Sequence, residues 1–226
     1  MLLRVCAIVL VMIMPCFLAL TTIFPLISSP FLRFQYARPD IPPSNSFTPQ
    51  ERQALAEAAA HYLVSREGIE YLGDLSDDQG LPHFNERELT HMVDVKLLLG
   101  KAVALDIMLG LLLVGSLGIL LSQRETREKT PFYLLLGALV TFALCISTII
   151  LVPLQFRWFF VEFHHVFFLG DTWLFPLSDT LIQLFPQMFW FGALQSWIFL
   201  IVVEAIVLGA GMYIWMRRRR RSVASF

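Results

Sequence analysis

Cysteine is scarce in this chain. Its three, Cys6, Cys16 and Cys145, all lie in apolar runs and form no CxxC pair, so neither a zinc site of ordinary spacing nor a disulfide framework is expected. Charge is scarce as well: 15% of the 226 residues are charged, against 57% hydrophobic, with a net charge of −1. No bulk attraction to nucleic acid follows from that balance. The usual signatures of nucleophiles and phosphate sites are also missing, with no GxSxG elbow, no HExxH helix and no glycine-rich phosphate loop. No Ser, Thr or Cys stands out as a nucleophile.

Long apolar runs are what the chain does have. Mean hydropathy is +0.67, above the level of soluble domains. A helix needs about 20 apolar residues to cross a hydrocarbon core, and four stretches qualify, at about 5–27, 97–121, 132–154 and 193–216. The first follows Arg4 and superficially resembles a signal peptide. It is longer than the roughly 7–15 residues of an h-region, and no A-x-A-like site follows it, so a retained span is expected. The fold class is therefore an all-α integral membrane protein with four transmembrane helices in a single membrane domain over 1–226.

Basic residues near span ends set the orientation. The short loop SQRETREKT holds Arg124, Arg127 and Lys129, and the tail adds Arg217 to Arg221. Both belong in the cytoplasm, which puts both termini there and places a cap, 28–96, and a second outer loop, 155–192, on the extracytoplasmic side. The cap carries six basic and eleven acidic residues, a net of −5, so the two faces differ in sign. The arginine run serves as a topology anchor, with lipid-headgroup recognition as the alternative.

Within the cap, residues 28–47 are rich in Pro and Ser and read as an irregular stretch. Thr48-Pro49-Gln50-Glu51 is a capping box with Pro at the first helical position, predicting a helix to about Val64. GDLSDDQGLP reads as a loop without the ligand spacing of an EF-hand. A second capping box, Asn85-Glu86-Arg87-Glu88, starts a helix expected to run unbroken into the second span, with Glu88, His91, Asp94 and Val95 on one face. At ~1.5 Å per residue, His91 then lies ~9 Å above the hydrocarbon edge. His164 follows the third span by about ten residues, so both histidines can reach one layer.

The outer loop is unusually aromatic. Thirteen of the 37 residues from Gln155 to Phe191 are Phe or Trp, and ten of these are Phe. An interfacial belt favours Trp and Tyr, so a Phe-rich lining, including Phe163, Phe167 and Phe168, that suits acyl chains or a water-poor pocket is the sharper reading. The candidates for proton transfer are then His91 with His164 or His165, whose ordinary pKa of ~6.5 suits exchange near neutrality. Each is alternatively a structural histidine. A further alternative is zinc or copper held by His91, Asp94, His164 and His165. Glu204, near mid-depth of the fourth span, is a functional candidate or else a hydrogen-bond partner of Thr141 or Ser147.

Three segments, ELTHMVDVK (88–96), FHHVFFLGDTW (163–173) and DTLIQLFPQMFW (179–190), together with the FTPQER cap helix, resemble the bacterial lipoprotein intramolecular transacylase family. The family's motifs E-x-x-H-M-x-D-V-K and F-H-x-[IV]-F-F align its two catalytic histidines with His91 and His164, leaving His165 at a variable position. Asp94, Lys96, Trp173 and Asp179 also match and are implied to support the site, as are Glu88 and the flanking phenylalanines.

The resemblance implies an enzyme of the bacterial cytoplasmic membrane acting on its outer side, with no cofactor and no metal, whose partners are a diacylated lipoprotein and membrane lipids. The implied reaction moves the sn-2 acyl chain of the S-diacylglyceryl group to the α-amine of the N-terminal cysteine, through an eight-membered ring. One histidine removes the amine proton, and the other stabilises the oxyanion and protonates the departing oxygen, in either order. With both reactants on one molecule, no enzyme nucleophile is required. The rival readings are a lipid-ester hydrolase or intermolecular acyltransferase at the same histidines, or a non-enzymatic metal-binding or transporter-accessory protein.

Overall fold

The computed structural model describes residues 1–151 and 155–224, with side chains through Arg219. Among these residues the regular structure is helical, apart from one isolated bridge between Ser76 and Pro82. In chain order the helices are α1 (Leu2–Thr21), α2 (Ile23–Leu26), α3 (Ser29–Tyr36), α4 (Pro49–Val64), α5 (Glu70–Gly73), α6 (Glu86–Ser122), α7 (Arg124–Arg127), α8 (Thr130–Leu151), α9 (Phe156–Phe167), α10 (Thr180–Leu184) and α11 (Gln187–Ala224). Four segments are long and apolar enough to cross a membrane: Leu2–Leu26, Glu86–Ser122, Thr130–Leu151 and Gln187–Arg219. They correspond to the four expected spans. The last three residues expected in the third span, and the side chains of Arg220 and Arg221, lie outside the described residues.

The chain packs as two compact units. The first contains α1, α7, α8, the second part of α6 and most of α11. Its centre is Cys6, Ala7, Leu10 and Met14 of α1 with Leu120 of α6. Helices approach closely here because small residues allow it. A Cβ on Gly137 of α8 would stand 2.8 Å from Met14 Sδ, so that glycine leaves the space the Met14 side chain occupies between α1 and α8. Trp197 Nε1 donates to the Ala19 carbonyl at 2.8 Å, satisfying a backbone acceptor near the end of α1.

The second unit spans Ile23–Ala102 and Leu154–Ser196. One correction concerns residues 28–47, expected to be irregular. Residues 29–36 form α3, because the Ser28 hydroxyl accepts from Phe31 N–H at the N-cap and Pro30 sits in the first turn. A serine followed by a proline two residues on is a start signal that the surrounding Pro and Ser content hid. The Thr48 box behaves as expected: Thr48 N–H donates to Glu51 Oε2 at 2.8 Å, and Glu51 N–H to Thr48 Oγ1 at 3.3 Å. Helix α4 then buries Leu55, Ala56, Ala59, Ala60 and Tyr62, and Leu72, Phe84, Met92, Leu181 and Leu184 complete the core with Leu55, Ala59 and Tyr62.

Arg52 of α4 is buried and donates to the carbonyls of Pro42 (2.7 Å) and Leu184 (3.4 Å), with its guanidinium 4.8 Å above the Tyr36 ring. Its cation thus ties the loop at Pro42 and the end of α10 to the helix. In the acidic loop, Asp77 Oδ1 accepts from the N–H groups of Gln79 and Leu81, both at 2.9 Å, so that acid builds a turn. The outer segment 155–192 holds α9 and α10, and α11 begins at Gln187, ahead of the fourth expected span.

Candidate functional site

The site belongs to the second unit. Its first anchor is the start of α6, where Asn85 N–H donates to Glu88 Oε2 (2.9 Å) and Glu88 N–H to Asn85 Oδ1 (3.1 Å). This box does a second job. Glu88, 1% exposed, also accepts at Oε1 from Leu181 N–H (2.7 Å), while Asn85 Nδ2 donates to Asp179 Oδ2 (3.2 Å) and Thr180 Oγ1 to the His83 carbonyl. The beginnings of α6 and α10 are thereby pinned together. Burial raises the Glu88 carboxyl above its ordinary range, and the backbone N–H groups it accepts from pull it back.

His91 lies three residues, about one turn, beyond Glu88 and is buried. The helix is 37 residues, or about 55 Å, well beyond what a bilayer core requires. His91 belongs to the turns before its apolar part begins at Leu97. Its ring is held by aromatic contacts, with Phe168 at 4.9 Å and Phe175 at 5.4 Å between centroids, and its Nδ1 is enclosed with no hydrogen-bond partner.

Helix α9 brings His164 to the same place. The rings of His91 and His164 stack with centroids 6.2 Å apart and planes 21° from parallel, and Phe168 touches both. His164 Nδ1 donates to the Phe160 carbonyl at 2.7 Å. A carbonyl only accepts, so Nδ1 carries the proton and Nε2 of the neutral ring keeps a free lone pair.

Burial lowers both histidines below their ordinary value. His91 falls to about 4, with the neighbouring His164 adding to the effect. His164 falls because of burial, opposed by its bond to Phe160 and helped by the neighbouring His165. Both rings are therefore neutral near pH 7.

The remaining sequence candidates separate by location. His165 is exposed and its ring meets Trp173 edge-on at 5.3 Å, whereas Trp173 packs against the His164 ring at 4.7 Å and is itself 7% exposed. Trp173 Nε1 and Thr172 Oγ1 are enclosed without partners. Phe168 closes over the pair, but Phe163 and Phe167 point outward, 40% and 50% exposed, and extend the apolar surface of α9.

Lys96 donates to the Glu67 carbonyl (2.7 Å) and lies 4.0 Å above the Tyr62 ring, a structural tie for this part of α6. Asp179 is the N-cap residue of α10 and receives Asn85. Asp94 is half-buried. Among the described residues no three His, Cys, Asp or Glu side chains converge, so His91, Asp94, His164 and His165 do not form a ligand set. Phe175, Phe160 and Thr172 were not singled out by the sequence. Phe160 had a readable signal, since a residue four before a histidine on a helix presents its carbonyl to that side chain.

A cavity of about 490 Å³ lies in the first unit, lined by Leu10, Met14, Phe17, Val203 and Glu204 among others. It holds one carboxyl and no pair for proton transfer, so the histidines remain the better candidates for chemistry. Glu204 does not bond to Thr141 or Ser147, correcting one expectation: those hydroxyls donate to the carbonyls of Gly137 (2.9 Å) and Ala143 (3.0 Å) on their own helix.

Four membrane-length helices with a neutral, aromatic-walled histidine pair define a multi-pass membrane protein equipped for proton transfer. Comparisons make the class specific. Residues 7–190 match the family described as Lipoprotein intramolecular transacylase Lit. The chain belongs to that family and is an acyltransferase. It is 27% identical over 202 residues to an uncharacterized protein of Aquifex aeolicus, covering 82% of this chain and 90% of that one. Its fold matches that of the membrane-integral lipoprotein intramolecular transacylase Lit from Bacillus cereus, with a TM-score of 0.78, 22% identity, and coverage of 97% and 98% of the two chains. A form of that protein with a histidine-to-alanine substitution matches with a TM-score of 0.69 and 20% identity, over 97% of this chain and 96% of that one.

Proposed function

We propose that the chain transfers the sn-2 acyl group of an S-diacylglyceryl cysteine to the α-amine of the same cysteine, yielding an N-acyl, S-monoacylglyceryl lipoprotein. The observation that carries this reading is the tautomer of His164. With Nδ1–H engaged by Phe160, the Nε2 lone pair is left free to accept a proton, and lowered basicity keeps it unprotonated at neutral pH.

The amine attacks the ester carbonyl, forming a C–N bond and an oxyanion. His164 Nε2 takes the ammonium proton. His91, neutral because burial depresses its pKa to about 4, donates its ring N–H to the oxyanion without needing to be an imidazolium. As the C–O bond breaks, the proton on His164 passes to the glyceryl oxygen. That oxygen and the amine nitrogen are bonded to the same carbon in the intermediate, so one imidazole reaches both.

Every atom balances within the substrate, and no cofactor enters. Glu88 and Asp179 act through the anchorage of α6, while Phe168 and Trp173 wall the pair from water and limit hydrolysis. The outward face with Phe163 and Phe167 suits acyl chains. His165, Asp94 and Lys96 have lesser roles.

The clustering of basic residues after the second and fourth spans supports cytoplasmic termini and a site on the outer side of the bacterial cytoplasmic membrane. Expression in a host making diacylated lipoproteins, followed by mass spectrometry of one N-terminal lipopeptide, tests the reading. Loss of the sn-2 chain without its gain on nitrogen would indicate a hydrolase instead.

A further inference from the structure

We propose that Trp173 is a third catalytic residue, its indole N–H donating a hydrogen bond to the ester carbonyl oxygen as that oxygen becomes an anion. The inference rests on the acyl-transfer reading above. Trp173 is 7% exposed, and its ring lies 4.7 Å from His164, with planes 36° apart, and 5.3 Å from His165. An indole nitrogen is a donor and never an acceptor. Buried indoles normally find a partner, yet this Nε1 has none.

An enclosed, unpaired donor is costly unless another role retains it, and here the donor belongs to a side chain in contact with the proposed base. The reaction supplies the missing acceptor. A tetrahedral oxyanion takes two or three hydrogen bonds, and a neutral His91 offers one N–H. A second neutral donor beside His164 completes the set without adding a cation that would further depress the base. The turn that leads into Trp173 lies at the surface: Leu169 is 92% exposed, and Gly170 takes φ +68°, a conformation that favours glycine. No bond to the indole forms or breaks in the reaction.

Trp173→Phe keeps an aromatic ring against His164 and removes the donor together with part of the indole. With the full-length protein and a synthetic diacylated lipopeptide, kcat is expected to fall about 100-fold, the usual loss for one oxyanion donor, with KM within threefold and the thermal midpoint unchanged. A folded variant with kcat within threefold of the parent overturns the proposal.

Should that variant fail to fold, the unsubstituted protein carrying ¹⁵N-indole tryptophan is titrated with a lipopeptide phosphonate replacing the sn-2 ester. The Trp173 Nε1–H resonance, assigned by replacing the other tryptophans, should move downfield, and an unmoved resonance overturns the proposal. The parent reading fails separately: if the unsubstituted protein only releases fatty acid, transacylation is wrong, but hydrolysis passes through the same oxyanion and the Trp173→Phe loss still reports the donor.

Discussion

His91 and His164, 73 residues apart in sequence, stack with centroids 6.2 Å apart, and the ring of Phe168 covers both. Burial keeps both rings neutral, and the nearby imidazole of His164 adds to the lowering at His91, since two rings this close cannot both hold a proton cheaply. A neutral pair suits a reaction that needs a base and a hydrogen-bond donor but no fixed positive charge.

Replacing either member should be severe. His164→Ala and His91→Ala are each expected to lower kcat by about 10²–10⁴, the range for a positioned acid or base, measured by product mass spectrometry with purified protein. His165→Ala, at an exposed ring, should cost less than tenfold. A larger loss at His165 than at His164 would shift the assignment by one residue.

The pH response follows from the signs of the shifts. Unfolded His91 titrates near 6.5 and folded His91 at about 4, so between those values the unfolded chain binds more protons and stability rises with pH. The protein should therefore lose stability progressively as pH falls from 6.5 towards 4, and His91→Asn should flatten that slope in denaturation measured at several pH values. Activity is governed from the other side. kcat/KM should rise through the pKa of the substrate amine, ordinarily about 7.7–8.0, with no inflection near 6.5.

Glu88 should matter through anchorage. Glu88→Gln retains one acceptor oxygen for the N–H groups of Asn85 and Leu181, while Glu88→Ala retains neither. The expected losses are about 2 and about 3 kcal/mol, respectively, from hydrogen bonds to a charged group and the buried donors left behind. Equilibrium unfolding measures both. Activity in the surviving folded fraction should fall in kcat more than in KM, because the start of the His91 helix is displaced.

Gly192 offers a test of packing in α11. Its replacement by Ala would ordinarily gain about 1 kcal/mol in a helix, but a Cβ there would stand 2.0 Å from Arg38 Nη1 and 2.8 Å from Gln35 Oε1. Overpacking costs about 1–3 kcal/mol, so Gly192→Ala should be net destabilising. In combination with Arg38→Ala the cost should shrink, and a double-mutant cycle reads the difference. Strict additivity would mean that this contact is not the cause.

Much of this was legible in the sequence because the signals are local. Apolar length gave the spans, and the Thr48 and Asn85 boxes gave two helix starts. An uninterrupted pattern from Glu86 onward gave the long helix. What stayed hidden depends on contacts distant in sequence. Glu88 reads as a capping residue, and nothing local tells that it also receives Leu181 N–H, 93 residues away. The pairing of His91 with His164 rather than with His165 came from the family motif, because adjacent histidines on a helix are about 100° apart and only packing says which turns inward. Thr141 and Ser147 went the other way: a hydroxyl on an apolar helix bonds its own carbonyl at i−4 before it reaches a neighbour.

The central claim is that the acyl chain moves within one molecule. Two diacylated lipopeptides should be mixed with the purified protein, one with a heavy peptide and an ordinary sn-2 chain, the other with a light peptide and a deuterated sn-2 chain. Mass spectrometry of the N-acylated products should find deuterium only on the light peptide. Deuterium on the heavy peptide, or deuterated fatty acid released without N-acylation, would contradict the account.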